Sequence, residues 1–307
     1  VKNIVILRQV LDMELKKVEG IKFIDGGVCA SKGFKANGIQ CGLAHAGASV
    51  TKKKNDIALI LADNICTAAA VYTTNKVKGA PIQVTREHLQ NGTAKAVIVN
   101  SVNANTCNAD GIEKAEKMCS LVAEELGIDE NDVIVASTGV IGSGMIHPNM
   151  ATTLTFMTSD VNISSELLQR ALSDVVKITL NRVSVDGDTS TNDMACIMAS
   201  GACGNKIIDG EDERFEIFRN ALYAVMMNLA RLMARDGEGA TKLIECACVG
   251  ASSEKTAETV AKSVITSSLF KAAMFGEDAN WGRILCAVGY ADANFDISKV
   301  DVNIGSA

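Results

Sequence analysis

The chain has 307 residues, 48% of them hydrophobic and 21% charged, enough apolar material for one large core or two joined ones, which excludes a disordered chain. Its formal net charge of -6 supplies no basic surface for nucleic acid and no basic amphipathic stretch for a membrane, so a small-molecule partner is expected. Ten cysteines without a C-x-x-C pair, and three histidines (His45, His88, His147) set far apart, point to buried reduced thiols in a cytoplasmic protein and to no metal site.

In chain order, the apolar run Ile4 to Leu7 is soon interrupted by Arg8 and Asp12, so Val1 to Met13 is too short to span a bilayer or to serve as a signal sequence. Runs bounded by polar or turn residues predict strands at Ile57 to Leu61, Ala96 to Val99 and Val133 to Ala136. The glycine-rich stretch Ser137 to Asn149, which carries Pro148, breaks the pattern before the apolar Thr152 to Met157. It is the natural place to divide the chain, into 1–151 and 152–307.

Beyond it, Leu167-Leu168-Ala171-Leu172-Val175-Val176 repeats at the spacing of one helix face, with Ser164 in place as cap. The set from Phe215 to Met233 predicts a second helix in the same way. Strands are predicted again at Cys246 to Val249 and Ile284 to Val288. There is no internal repeat, and the whole reads as an α/β mixture.

Several familiar motifs fail on inspection. Gly33 and Gly38 have the spacing of a phosphate-binding loop, but Ile39 stands where its lysine belongs. Asp186 to Asp193 places oxygen side chains at alternate positions like a calcium loop, yet Thr191 replaces the turn glycine and Ile197 the bidentate glutamate. No G-x-G-x-x-G follows a strand, and no G-x-S-x-G occurs.

What remains is Ser137-Thr138-Gly139-Val140-Ile141-Gly142 followed by Gly144-Met145-Ile146-His147-Pro148-Asn149-Met150-Ala151-Thr152. With Gly26-Gly27-Val28, Lys32-Gly33-Phe34, Asn100 to Asn108, Asp186 to Asp193, Asp236 to Lys242 and Gly276 to Arg283, these blocks resemble, in order, the ornithine acetyltransferase family of arginine biosynthesis. The resemblance implies an α+β protein with a layered α-β-β-α sandwich, its two parts meeting near Thr152. It implies self-cleavage between Ala151 and Thr152, leaving an α chain and a β chain that assemble as a heterotetramer, two of each.

It also implies a glutamate N-acetyltransferase. Thr152 would take the acetyl group from N-acetylornithine as an ester, release ornithine, and pass the acetyl to glutamate to give N-acetylglutamate. No cofactor is implied, although bifunctional members also accept acetyl-CoA as a substrate. The freed α-amino group, with an unperturbed pKa of about 7.7 to 8.0, would be the base that a weakly nucleophilic hydroxyl needs. By motif match, Thr138 and Gly139 would form the oxyanion hole and Glu238 would hold the substrate's α-amino group.

Read without that context, Thr152 is a β-branched strand residue, Thr138-Gly139 a strand-ending turn and Glu238 an exposed loop carboxylate. Asp186 to Asp193 and Asn280 to Arg283 are expected to act structurally, with Trp281 as a packing anchor. Two further readings of the chain stay open: a self-cleaving amide hydrolase of the related fold, with water as acceptor, and a non-catalytic relative kept for binding or assembly. The chain departs from the family's pattern at one internal place, since only Gly142 and Ser143 separate Ile141 from Gly144 where relatives carry a long segment. Relatives also continue beyond the position of Ala307, through a segment that contributes polar groups to the substrate site.

Overall fold

The computed structural model describes residues 3–9, 15–42, 55–139 and 153–306, with the first segment described through its main chain. Its central element is a strand of 16 residues, β3 (Ile57–Tyr72). Along its first half, β2 (Phe34–Ile39) pairs on one edge and β4 (Thr93–Asn100) on the other, both antiparallel. Along its second half, β7 (Met194–Ala199) pairs antiparallel on the edge that β2 used. β5 (Val133–Ser137) extends the sheet beside β4, and β6 (Leu154–Ser159) beside β7, both parallel.

A straight strand as long as β3 would hold its ends about 50 Å apart. Yet Asn192, next to the start of β7, hydrogen-bonds to Ser137 at the end of β5. Ser137 lies beside the first end of β3, through Asn100 of β4, and β7 starts at its last residue, so β3 must fold back. The register between β3 and β4 slips between Leu61 and Cys66, and a bulge of this kind bends a strand and sharpens its twist.

The bend turns one sheet into two facing layers. Alternation along the strands then sends every second side chain inward. Val97, Ile134 and Ala136 from one layer meet Met194, Cys196 and Met198 from the other in a shared core. The opposite face of β4 and β5 packs Ala96, Ile98, Val133 and Val135 against α1 (Ala80–His88) and α2 (Gly111–Leu126). The opposite face of β7 packs Ala195, Ile197 and Ala199 against α3 (Ser165–Ile178) and α4 (Glu213–Arg235). Helix, sheet, sheet and helix are therefore stacked in four layers, as the resemblance implied.

Helices α3 and α4 start where the sequence supplies an acceptor. Ser164 receives Leu167 N–H at the head of α3, and Asp212 receives Arg214 and Phe215 N–H at the head of α4. Leu168, Ala171 and Leu172 are fully buried on the face predicted for α3.

A second, smaller unit joins the beginning and the later part of the chain. β1 (Asn3–Gln9) lies between β8 (Leu243–Val249), antiparallel, and β9 (Asp301–Ser306), parallel. Helices α5 (Glu254–Thr266), α6 (Ser268–Phe275) and α7 (Trp281–Gly289) cover this sheet through Val260, Phe270, Ile284 and Val288.

Three expectations are corrected here. Ile284 to Val288 is not a strand but part of α7. Asn280 caps that helix by accepting Arg283 N–H, and Ile284, Ala287 and Val288 are buried at helical spacing, a pattern that a short apolar run cannot distinguish from a strand. Trp281 is no anchor, because it is 65% exposed. The ten cysteines are free as expected, but Cys29, Cys41, Cys107, Cys203 and Cys286 are exposed rather than buried.

The stretches on either side of residues 151–152 are interleaved. β1 pairs with β8 and β9, and β3 pairs with β7, so the two parts of the chain share both sheets. No helix among the described residues is long and apolar enough to cross a membrane.

Leu172 is fully buried between α3 and the sheet. Leu172→Ala is expected to cost about 2 to 5 kcal/mol, read as a lowered denaturant midpoint at unchanged slope.

Candidate functional site

Every segment of the site converges on the side-chain amide of Asn192. Its Nδ2 donates to Ser137 O (2.8 Å), at the end of β5, and to Ala104 O (2.5 Å), in the loop after β4. Its Oδ1 accepts from the hydroxyls of Thr106 and Thr191, both at 2.6 Å. One buried side chain thus ties together three stretches distant in sequence, and its amide donors and acceptor are all engaged.

The loop that receives Asn192 is shaped by the asparagine-rich stretch after β4. Val102, Asn105 and Cys107 adopt positive φ, a conformation that short polar side chains tolerate and valine resists. Side chains hold the loop in that shape. Asn100 Nδ2 donates to Asn103 O (2.9 Å), Asn105 Nδ2 donates to Gly111 O (2.8 Å), and Ser137 Oγ donates to Asn100 Oδ1 (2.5 Å).

Opposite it, residues 189–193 dock on the end of β3. Thr73 Oγ1 donates to Ser190 O (2.6 Å), Asn75 Nδ2 to Thr189 O (2.7 Å), and Thr73 N–H to Asp193 O (3.0 Å). The expectation of a structural role for this block is met for Thr189 to Asn192. Asp193 is different. It is fully buried, and its Oδ1 accepts Thr153 N–H at 2.6 Å. Burial pushes its pKa up to about 7, with repulsion from Asp186 adding to the shift while Thr153 N–H and the Ser190 hydroxyl oppose it. Sequence reading gave this aspartate no special place, because nothing in the motif distinguishes it from its exposed neighbours Asp186 and Asp188.

Of the residues singled out by sequence, Thr138 and Gly139 lie where β5 ends. Thr138 N–H donates to Asn100 O (3.0 Å), and Gly139 O accepts from Val102 N–H (2.8 Å). A Cβ on Gly139 would meet nothing within 4 Å among the described residues. Ala151 and Thr152 lie outside the described residues. The next residue, Thr153, is held to Asp193, and its carbonyl receives Met194 N–H (3.0 Å). Through Asn192 and Asp193, adjacent in the chain, the end of β5 and the entry to β6 are therefore fastened at one place.

Glu238 stands apart from that network, exposed on the rim of a groove of about 480 Å³ between α4, β8 and α6. Arg182, Lys242 and Lys271 line the same groove. Lys242 Nζ donates to Met274 O and Phe275 O (2.8 and 2.9 Å) and pairs with Glu277 at 3.3 Å. Lys271 Nζ donates to Val185 O (2.7 Å), and burial lowers its pKa. Helix α4 links groove and network, since Ala234 lines the groove while Met233 Sδ lies 2.9 Å from Thr153 Oγ1. Among the described residues, no cluster of His, Cys, Asp and Glu is arranged to hold a metal ion.

With this geometry in hand, similarity to known proteins can be placed. The ArgJ family model matches residues 37–143 and 142–307. These two matches meet where the sequence skips the segment its relatives carry. The arginine biosynthesis bifunctional protein ArgJ 1 of Clostridium acetobutylicum is 41% identical, with 89% of this chain aligned to 80% of that protein. The ArgJ protein of Caldanaerobacter subterraneus is 40% identical, with 94% of this chain aligned to 85% of its length. Among solved structures, the arginine biosynthesis bifunctional protein from Bacillus halodurans is 41% identical at a TM-score of 0.34, over 38% of this chain and 59% of that one. The ornithine acetyltransferase of Mycobacterium tuberculosis, complexed with ornithine, is 34% identical at a TM-score of 0.33, over 38% of this chain and 61% of its own. At these TM-scores the superpositions are local, and the four-layer architecture rests on the strand pairing described above.

Gly79 is the position where this network tolerates least. A Cβ there would lie 2.5 to 2.8 Å from the Asn192 side-chain amide. Gly79→Ala must push Asn192 off Ser137 and Ala104, and a destabilisation of about 1 to 3 kcal/mol is expected from chemical denaturation. Gly127→Ala, with no atom within 4 Å of its added Cβ, is the control for the loss of a left-handed glycine alone.

Proposed function

The chain belongs to the ArgJ family and is an acetyltransferase of arginine biosynthesis; we propose that it moves acetyl from N-acetylornithine to glutamate through an ester on Thr152. The observation that carries the reading is the fastening of β5's end, with Thr138 and Gly139, to the residue that follows Thr152. A nucleophile and its oxyanion donors must surround one carbonyl carbon, and this arrangement brings the two chain segments to one place. Ornithine bound to the Mycobacterium tuberculosis relative supports the substrate class.

In the proposed cycle the Thr152 hydroxyl attacks the acetyl carbonyl, giving its proton to the α-amino group of the same residue. The oxyanion is met by the Thr138 hydroxyl and Gly139 N–H. Collapse breaks the amide, the proton passes to the departing ornithine amine, and acetyl remains on the threonine. The glutamate amine then attacks the ester, and the reverse proton transfers release N-acetylglutamate and free threonine. Glu238, a carboxylate on the rim of a groove that Arg182, Lys242 and Lys271 also line, suits the α-amino group that ornithine carries on leaving and glutamate on arrival. No cofactor enters this cycle, and acetyl-CoA would be an alternative acetyl donor only.

The same hydroxyl can attack the Ala151 carbonyl, expelling the Thr152 nitrogen as the amine that the cycle needs and leaving an Ala151 ester, which water then hydrolyses to break the chain and free the hydroxyl. The resulting α and β chains would stay together, because β1 lies between β8 and β9 in one sheet and β3 pairs with β7 in the other. An assembly of two α and two β chains is the corresponding quaternary proposal.

Thr152→Ala is expected to leave the chain uncut by amino-terminal sequencing and to abolish transfer from acetyl-labelled N-acetylornithine to glutamate. A cut or active Thr152→Ala protein, or release of labelled acetate in place of N-acetylglutamate by the wild type, would overturn the reading. Thr138→Ala is expected to lower kcat about 100- to 1000-fold, as loss of one oxyanion donor does. An unchanged kcat would remove Thr138 from the site.

A further inference from the structure

Glu238 sits in a tight turn that α6 holds at both ends. Ala240 N–H donates to Gly237 O (2.9 Å), and Gly239 takes a φ of 67°, the positive value that the third residue of such a turn often needs. The main chain therefore reverses over Glu238 and Gly239. We propose that Lys242 is a positioning residue for Glu238, holding this turn against the end of α6 so that the carboxylate stands at the groove rim when glutamate arrives. This rests on the assignment of Glu238 under Proposed function.

Lys242 closes the later end of the turn, directly before β8. Its side chain is only 12% exposed, and its three N–H donors face three oxygens: Met274 O at 2.8 Å, Phe275 O at 2.9 Å and a Glu277 carboxylate oxygen at 3.3 Å. The two carbonyls belong to the last turn of α6, where helix carbonyls lack intrahelical donors and the aligned peptide dipoles favour a cation. Glu277 stands at a φ of 61°, and Gly276 and Asp278 N–H return to Ala272 O and Ala273 O, so the helix ends there. Lys242 thus joins the block Asp236 to Lys242 to the block Gly276 to Arg283. With its donors committed to these oxygens, its ammonium is engaged by the fold, and its influence on a substrate passes through the turn.

The earlier end is fixed by packing. A Cβ on Gly237 would lie 2.8 Å from Val185 Cγ1, so the turn rests directly on Val185. Val185 O accepts from Lys271 Nζ at 2.7 Å, and Lys271 is on α6. Helix α6 therefore grips the turn twice, through Lys271 and Val185 at one end and through Lys242 at the other. Releasing Lys242 leaves the turn held at Gly237 alone, free to swing Glu238 away from the rim.

A residue that acts through Glu238 should change the kinetic constant that Glu238 changes. Glu238→Gln keeps the shape and removes the charge, and is expected to raise KM for glutamate about tenfold, as loss of a hydrogen bond to a charged group does. Lys242→Met keeps the stem without the ammonium, and is expected to raise the same KM about three- to tenfold, with kcat and KM for N-acetylornithine changed less than about twofold. The double variant should match Glu238→Gln within about twofold, because effects that pass through one group do not add.

A lysine that only supported the fold would lower kcat by reducing the number of active molecules, and its effect would multiply with that of Glu238→Gln. Either result, or a folded Lys242→Met enzyme with the wild-type KM for glutamate, would overturn the inference and leave the reading of Glu238 intact. An unchanged KM in Glu238→Gln would overturn that reading and the inference with it. Should Lys242→Met not fold, Lys242→Gln, whose amide keeps N–H donors for the carbonyls, is judged by the same outcomes.

Discussion

The structure depends on one side-chain amide. Asn192 donates to main-chain oxygens at Ser137 and Ala104 and accepts from Thr106 and Thr191, and by doing so it closes the mouth of a sheet folded back on itself. That fastening joins the end of β5 to the start of β7, which lie beside opposite ends of β3, at the margin of the core that the two layers share. Each such hydrogen bond contributes only about 0.5 to 1.5 kcal/mol net, but leaving a buried amide unsatisfied costs more than the bonds gain. Satisfaction of this group therefore acts as an all-or-none condition on the local arrangement.

Much of the unusual backbone is explained as accommodation of that side chain. The asparagine-rich loop takes left-handed conformations at Val102, Asn105 and Cys107 in order to present the Ala104 carbonyl and the Thr106 hydroxyl. Gly79 has no Cβ because the Asn192 amide occupies that space. Strain of this kind is stable only where the surroundings over-determine it, as the Asn100, Asn103, Asn105 and Gly111 contacts do here. Two of the blocks that resemble the family, Asn100 to Asn108 and Asp186 to Asp193, are thus two halves of one joint.

The joint also gives the site its rigidity. Next to the satisfied Asn192 sits Asp193, buried at the point where the chain enters β6. An asparagine whose amide is fully bonded positions the segments, and beside it a buried carboxyl holds Thr153 N–H. The basic groove beyond α4 is a separate feature, connected to this point by the last turn of the helix.

The sequence by itself determined the local elements and the chemistry. The periodicity of Leu167 to Val176, the Ser164 cap and the runs at β4 and β5 were legible because each records a neighbour within a turn or along a strand. The ordered blocks around Thr138, Thr152 and Glu238 were legible as a family resemblance. Tertiary structure decided the rest. Ile284 to Val288 became a helix because Asn280 caps it and its apolar residues enter the core of the smaller unit, which no run of five letters can specify. The all-apolar β7 escaped notice because it is buried on both faces and shows no alternation. The different fates of Asp186 and Asp193 were equally invisible, since a carboxyl's pKa is set by burial and by partners from distant strands, and these exist only once β3 has folded the two layers together.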